Sequence, residues 1–514
     1  MTITSDEIVH LNYGMKILRF DSSRVDIFDV SKMPFSIFNA VPYIFAKNIL
    51  NWAGNNLEEN IQNHIALLAG RSVTILFSLL LGVYVFKWSK EMYGISAGIF
   101  SLFLYVFSPN IIAHSRLITA DLYAALMITI STFYFWRFIK FGGWNRAIVS
   151  ASVLGLSQLA KYTCIYLYPI FLTIILIRYS NLIFRLVILK NISELFKCLK
   201  IFIKYILLFL AINIVIINIG FIGNKSFTPL SKYEFKSNLF KTIQSVSILK
   251  NIPIPVPYPY VQGLDMVKFY EDTGDTFGNI YLLGKLKTND SNFEGFKGYY
   301  FYAFLFKEPI ATQLIIFLSI IAYILKRKKR DFLRNELFLL FPISFFVIYF
   351  NFFFKAQIGI RFFLVAFPLL YIFCGNLFEE YRLFNVKLKI VFVILSMYLI
   401  VSTLSYFPHY LSYFNEIVWD RKQAYKLLAD SNIDWGQDEW YLMEYKRKNS
   451  EIKVNPEFPT SGRIVVSVNN LVGVVVDPER YKWLRENFEP VDSIAYSYLI
   501  YDIYPEDLKK ISRK

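Results

Sequence analysis

The sequence predicts an all-α polytopic membrane protein of about ten spans, closed by a small external α+β domain at its C-terminal end. Three observations carry this. Hydrophobic residues make up 55% of the chain and charged residues 18%, against about 25% charged in ordinary soluble domains. Apolar runs of about 17–20 residues recur, long enough to cross a hydrocarbon core of about 30 Å as helices. Lys and Arg gather in alternate short loops between those runs, the asymmetry that orients helices in a bilayer.

In chain order, residues 1–66 form a juxtamembrane segment carrying an acidic pair, Asp6 and Glu7. Runs at 67–86, 94–110, 120–137, 147–160, 162–178 and 205–222 make a first membrane group over 67–222. Residues 223–298, with the turn-forming NIPIPVPYPY at 251–260, read as an irregular external loop. A second membrane group, 299–406, holds runs at 309–325, 337–353, 361–378 and 389–406. Residues 407–514 read as an external domain, with strands expected at 462–476 and 494–503 and a helix at 481–488.

The net charge of +16 does not indicate a nucleic-acid partner, because the basic residues flank apolar runs instead of forming a stripe on a soluble domain. They fall as Lys87 and Lys90; Arg137, Lys140 and Arg146; six between Arg178 and Lys204; KRKKR at 326–330 with Arg334; and Arg382, Lys387 and Lys389. All 20 lie on one side if the spans are right, which makes that side cytoplasmic. Residues 1–66, 223–298 and 407–514 then share the outer face. An even number of spans leaves both termini outside, so a further span is expected ahead of Asp6. The alternative places residues 1–66 in the cytoplasm and removes one run. Cys164, Cys198 and Cys374 have neither disulfide nor zinc spacing and read as core residues.

Several ionisable residues collect at the outer ends of the runs. In SDEIVHLNYGMKIL, Asp6 and His10 are one helical turn apart and share a face. Asp6 and Glu7 are candidate catalytic carboxylates, His10 can orient a substrate, and the three together are a candidate set for a divalent metal. The same residues also fit a plain helix start, with Ser5 or Asp6 as cap and acid in the first turn. Arg116 and Asp121 in AHSRLITAD, Lys161 in QLAKYT and Arg361 in QIGIRFF sit at four more outer ends. Each alone fits a snorkelling anchor. Together, opposite an acidic pair, they suit an anionic lipid head group, since planar Arg donors engage two phosphate oxygens at once.

These segments resemble, in order, the phospholipid-carrier-dependent glycosyltransferases of the GT-C superfamily, notably bacterial relatives of protein O-mannosyltransferases and aminoarabinose transferases. SDEIVHLNYGMKIL is similar to the family's acidic-pair motif, and DVSKMPFSIFNAVP (29–42) to the segment that follows it. AHSRLITADLYAAL, GLSQLAKYTCIYLYP, GYYFYAFLFKEP and IGIRFFLVAFPLLY resemble later motifs. PHYLSYFNE (408–416) with LLADSNIDWGQD (427–438) is the most specific match. Lys32 and Met33 stand where the family has His-Pro, and the family's first span has no counterpart here.

The resemblance implies transfer of a sugar from a polyprenyl-phosphate carrier to an acceptor hydroxyl at the external face of the plasma membrane, with inversion. Asp6 would be the base and Glu7 its helper. Arg361, Lys161 and Arg116 would receive the phosphate, with His10, Asp121 and Tyr162 completing the substrate site. No cofactor is implied with certainty, and a divalent metal stays open. The partners are the lipid-linked donor, membrane lipid and an acceptor that is a protein, lipid or glycan. The competing classes are a transporter or lipid flippase, and a noncatalytic scaffold. Against the first, acidic residues avoid the middles of the runs; the second leaves the acidic pair and the outer-face cations without a reason to occur together.

Overall fold

The computed structural model describes residues 2–21, 33–52, 58–274, 278–288, 294–326, 331–379 and 385–511. Lys32, residues 327–330 of the basic run and Arg382 lie outside the described residues. Every one of the ten apolar runs is helical. Six helical stretches are long and apolar enough to cross a membrane, and seven if one bent pair counts as a span. The chain is therefore a multi-pass helical membrane protein.

Two helices precede the first span, α1 (Ser5–Leu18) and α2 (Ser36–Trp52). The first membrane group comprises α3 (Glu59–Tyr93), α4 (Ile95–Val106), α5 (Pro109–His114), α6 (Ala120–Phe141), α7 (Trp144–Ser157), α8 (Leu167–Ile188) and α9 (Ile192–Gly220). A 3₁₀ turn, Tyr162–Tyr166, leads into α8. The expected runs at 94–110, 147–160 and 337–353 form helices of 12, 14 and 16 residues, each shorter than the roughly 20 residues a straight crossing needs. The run at 309–325 is the second arm of a bent pair, α12 (Tyr299–Lys307) and α13 (Ile310–Lys326), between which the chain bends by 115°. The bend falls at Glu308-Pro309, where proline cannot continue the preceding helix.

Helix α6 is the axis of the bundle. It is buried from Ala120 to Phe133 and packs against α3, α7, α8 and the segment Ile360–Cys374. By contrast, α9 exposes Phe196, Leu199, Ile203, Leu207 and Leu210. So much bare hydrocarbon on one helix is stable only against lipid. Inside the bundle, Asn39 on α2 donates to Gly70 O (2.9 Å) and accepts from Tyr123 on α6 (2.6 Å), tying three helices together.

The two ends of α6 differ in chemistry. At its C-terminal end Arg137 pairs with Glu91 of α3 (3.7 Å), Lys140 donates to Asn335 (2.8 Å) and Trp136 donates to Arg334 O (2.8 Å). That end gathers basic residues of two predicted loops. Its N-terminal end, about 33 Å away at 1.5 Å per residue, carries Asp121.

Between the membrane groups lie α10 (Asn238–Ser245), α11 (Tyr258–Thr273) and two small ribbons, β1 (Thr228–Pro229) with β2 (Pro253–Ile254) and β3 (Ile280–Leu282) with β4 (Lys285–Lys287). This stretch is more ordered than the irregular loop expected, because the proline run ends at the first turn of α11, where a missing N–H costs nothing. The second membrane group continues with α14 (Leu337–Phe352), α15 (Phe367–Cys374) and α16 (Val386–Leu404).

The last domain is α+β. Its sheet has the order β5 (Lys453–Val454), β6 (Gly462–Ser467), β8 (Tyr498–Ile503), β7 (Asp492–Ile494), antiparallel except for β5 beside β6. Helices α17 (Glu439–Lys448), α18 (Val468–Val472), α19 (Lys482–Asn487) and α20 (Pro505–Ile511) surround it. The strand expected over 462–476 stops at Ser467, whose hydroxyl accepts from Asn470 N (3.3 Å) and caps α18. The strand expected over 494–503 is a hairpin, with Ala495 and Tyr496 at positive φ in its turn.

Candidate functional site

The site forms where α1, the N-terminus of α6, the 3₁₀ turn before α8 and the segment 358–361 meet. Asp121 lies in the first turn of α6, where a carboxylate is favoured by the helix dipole. Lys161, extended ahead of the 3₁₀ turn, reaches it at 2.5 Å and lies over the Phe362 ring at 4.5 Å. Arg361 is 8% exposed; its Nη1 donates to Asp6 Oδ2 at 2.8 Å and stands 3.9 Å from Asp121 Oδ2. Its Nε has no partner among the described residues. One guanidinium thus links the acidic face of α1 to the start of α6.

The two carboxylates of the acidic pair turn opposite ways. The Asp6 side chain is 39% exposed and faces Arg361. Glu7 is fully buried and saturated: it accepts from Arg71 Nε (2.8 Å) and Nη2 (2.6 Å), Ile118 N (3.0 Å) and Thr4 N (2.9 Å). The cap of α1 is Thr4, one residue before the expected Ser5 or Asp6, because only from there does the N3 residue, Glu7, close a capping box.

His10, 8% exposed, lines a cleft with Ser36, Asn39 and Thr119 between α1, α2 and the start of α6. Arg116 is drawn elsewhere. Its Nη2 donates to Pro408 O and its guanidinium lies over Tyr410 (5.4 Å). Asp121 holds Lys161 instead and faces Arg361. Tyr162 also turns away, donating to Pro259 O (3.2 Å) against Tyr260. Among the described residues no three His, Cys, Asp or Glu side chains gather as metal ligands. The candidate metal set of Asp6, Glu7 and His10 is divided by the opposite turns of the first two.

Four residues of the site carried no role in the sequence reading. Arg71, inside an apolar run, neutralises Glu7. His114 is 1% exposed and Nδ1 lacks a partner among the described residues. Burial pushes it down to about 4, so the ring is neutral at pH 7. Trp435 lies 4.0 Å from the Arg361 guanidinium. Asp430, at φ +57° in the turn that opens DSNIDWGQD, has Arg361, Asp6 and Asp434 as charged neighbours. Burial pushes its carboxyl up to about 7, while Arg361 and the Ser431 N–H oppose the rise.

The raised Asp430 value has a sign that can be tested. Between the ordinary value of 3.8 and about 7 the folded protein binds a proton that the unfolded chain has released. Stability from this group is then greatest below 3.8 and declines as pH rises toward 7. Asp430→Asn should flatten the dependence of the melting temperature on pH across that window. An unchanged slope would remove Asp430 as its cause.

Residues 60–217 match the family described as dolichyl-phosphate-mannose-protein mannosyltransferase, a match that spans the first membrane group. A crystal structure of ArnT from Cupriavidus metallidurans in the apo state superposes with a TM-score of 0.26 at 10% identity, over 97% of this chain and 93% of that one. A comparison with curated proteins finds no match. The likeness to that mannosyltransferase family extends over residues 60–217.

Proposed function

We propose that the protein transfers a sugar from a polyprenyl-phosphate carrier to an acceptor hydroxyl, at the end of the bundle that holds Asp6 and Arg361. The observation that carries this is the buried Arg361, held between Asp6 and Asp121 beside Lys161. Two cations in an aromatic-lined, water-poor setting act on a phosphate far more strongly than they would in bulk water. The lipid tail stays in the bilayer while the phosphate and sugar reach this end.

In this reading the phosphate takes the Arg361 donors now given to Asp6, with Lys161 beside it. Asp6, partly exposed, is then released to take the acceptor proton. The acceptor oxygen attacks the anomeric carbon as the bond from that carbon to the phosphate oxygen breaks, so one displacement inverts the centre. The leaving phosphate keeps the electron pair and stays on Arg361 and Lys161. Asp121 fixes both cations. Glu7, with its oxygens already filled, acts by anchoring α1 and so placing Asp6. The face is external in this proposal, because basic residues collect at the opposite end of α6, and the membrane is the plasma membrane.

The test is direct. Purified protein is incubated with a radiolabelled polyprenyl-phosphate sugar and an acceptor mixture, and release of lipid phosphate is followed. Release coupled to a glycosylated product is expected. Movement of the intact carrier between leaflets without release would instead support a flippase.

A further inference from the structure

The soluble domain enters the site through one short stretch, residues 430–435, and its contacts converge on Arg361. Asn432 Oδ1 accepts from Ile360 N (3.0 Å), and its Nδ2 donates to Tyr299 on α12 (2.9 Å). Ser431 Oγ donates to Ile358 O (2.5 Å). The approach is so close that a Cβ on Gly359 would overlap the Ser431 hydroxyl. The backbone leading into Arg361 is thereby fixed from the C-terminal domain. The side chain is held by Trp435, whose ring lies 4.0 Å from the guanidinium carbon and meets His114 edge to face at 6.2 Å.

We propose that Trp435 is a positioning residue for Arg361, so that the C-terminal domain sets the donor affinity of a site otherwise built from the N-terminal segment and membrane helices. This rests on the reading of Arg361 as the phosphate ligand. The physical case turns on which part of the guanidinium each neighbour uses. A carboxylate such as Asp6 holds Arg361 through in-plane N–H donors, the same donors a phosphate needs. An aromatic face holds it from above and leaves those donors available. When phosphate displaces Asp6, the indole still fixes the plane of the group, and a long, otherwise mobile side chain is not freed.

The test compares Trp435→Leu with Trp435→Phe, reading kcat, donor KM and melting temperature. Leucine keeps the apolar fill without the π face and should raise donor KM about tenfold with a smaller change in kcat and a near-native melting temperature. Phenylalanine should bring KM back toward wild type. On an Arg361→Lys background, Trp435→Leu should weaken binding of polyprenyl phosphate much less than it does alone, since the planar partner is gone. Wild-type KM in Trp435→Leu overturns the proposal. So does equal impairment of both variants with a lowered melting temperature, which marks a packing role. A wild-type protein that neither binds polyprenyl phosphate nor releases it from the donor overturns the reading of the site, and this proposal with it. Wild-type turnover with an insensitive Trp435 overturns the proposal alone.

Discussion

Asp6→Asn is expected to lower turnover about 100- to 10,000-fold, the range a positioned general base contributes, while leaving the protein folded. The geometry explains both parts. Asparagine cannot accept the acceptor proton, yet it fits the same space and can still accept a hydrogen bond from Arg361. The buried guanidinium is not stranded, because Asp121 stands 3.9 Å away. Donor KM should therefore hold or fall, since a carboxylate that competes with phosphate for Arg361 has gone. Single-turnover measurements with a lipid-phosphate sugar separate the two effects. A kcat within tenfold of wild type would show that Asp6 is not the base.

Glu7→Gln is expected to act one residue away and in the opposite manner, on stability instead of chemistry. Glu7 and Arg71 form a buried pair with 0% and 5% side-chain exposure. Removing one member of such a pair leaves an uncompensated buried charge and costs about 3–5 kcal/mol. Ile118 N and Thr4 N also depend on Glu7, so α1 and the entry to α6 should loosen together. The double variant Glu7→Gln with Arg71→Met should recover much of the loss, because no lone charge remains. Thermal unfolding in detergent reads the effect. A single variant that melts with wild type would refute the structural role of the pair.

The different behaviour expected of these two neighbours shows how far the sequence could be read. Hydropathy located all ten helical runs, because lipid imposes a length and composition that no local turn can imitate. It overstated the run at 94–110, whose helix ends at Val106, since a run of apolar residues does not reveal where backbone direction changes. The convergence of Asp121, Lys161 and Arg361 was legible because each sits at the same end of its run. Direction within a helix turn was not. Asp6 and Glu7 are adjacent in sequence and look interchangeable, and only Arg71, in the middle of an apolar stretch, separates them. Arg116 and Tyr162 share the right end of the bundle but are captured by carbonyls of Pro408 and Pro259, contacts that arise from chain segments far away. Asp430 and Trp435 were hidden for the same reason: the DSNIDWGQD string announced importance without saying which membrane residue it touches.

The threads that close the site also set when it can exist during synthesis. Thr2 N donates to Gln437 O (2.9 Å), and Trp440 N donates to the Thr2 hydroxyl (3.0 Å). The segment around Thr2 is thus fastened by residues made long after it. Contacts of such sequence separation close late, after the local ones. The membrane helices can insert and pack in order, yet the nascent protein carries no finished pocket until the final domain folds onto it. A chain stopped after α16 should insert normally and remain silent, a built-in delay between arrival in the bilayer and the onset of chemistry there.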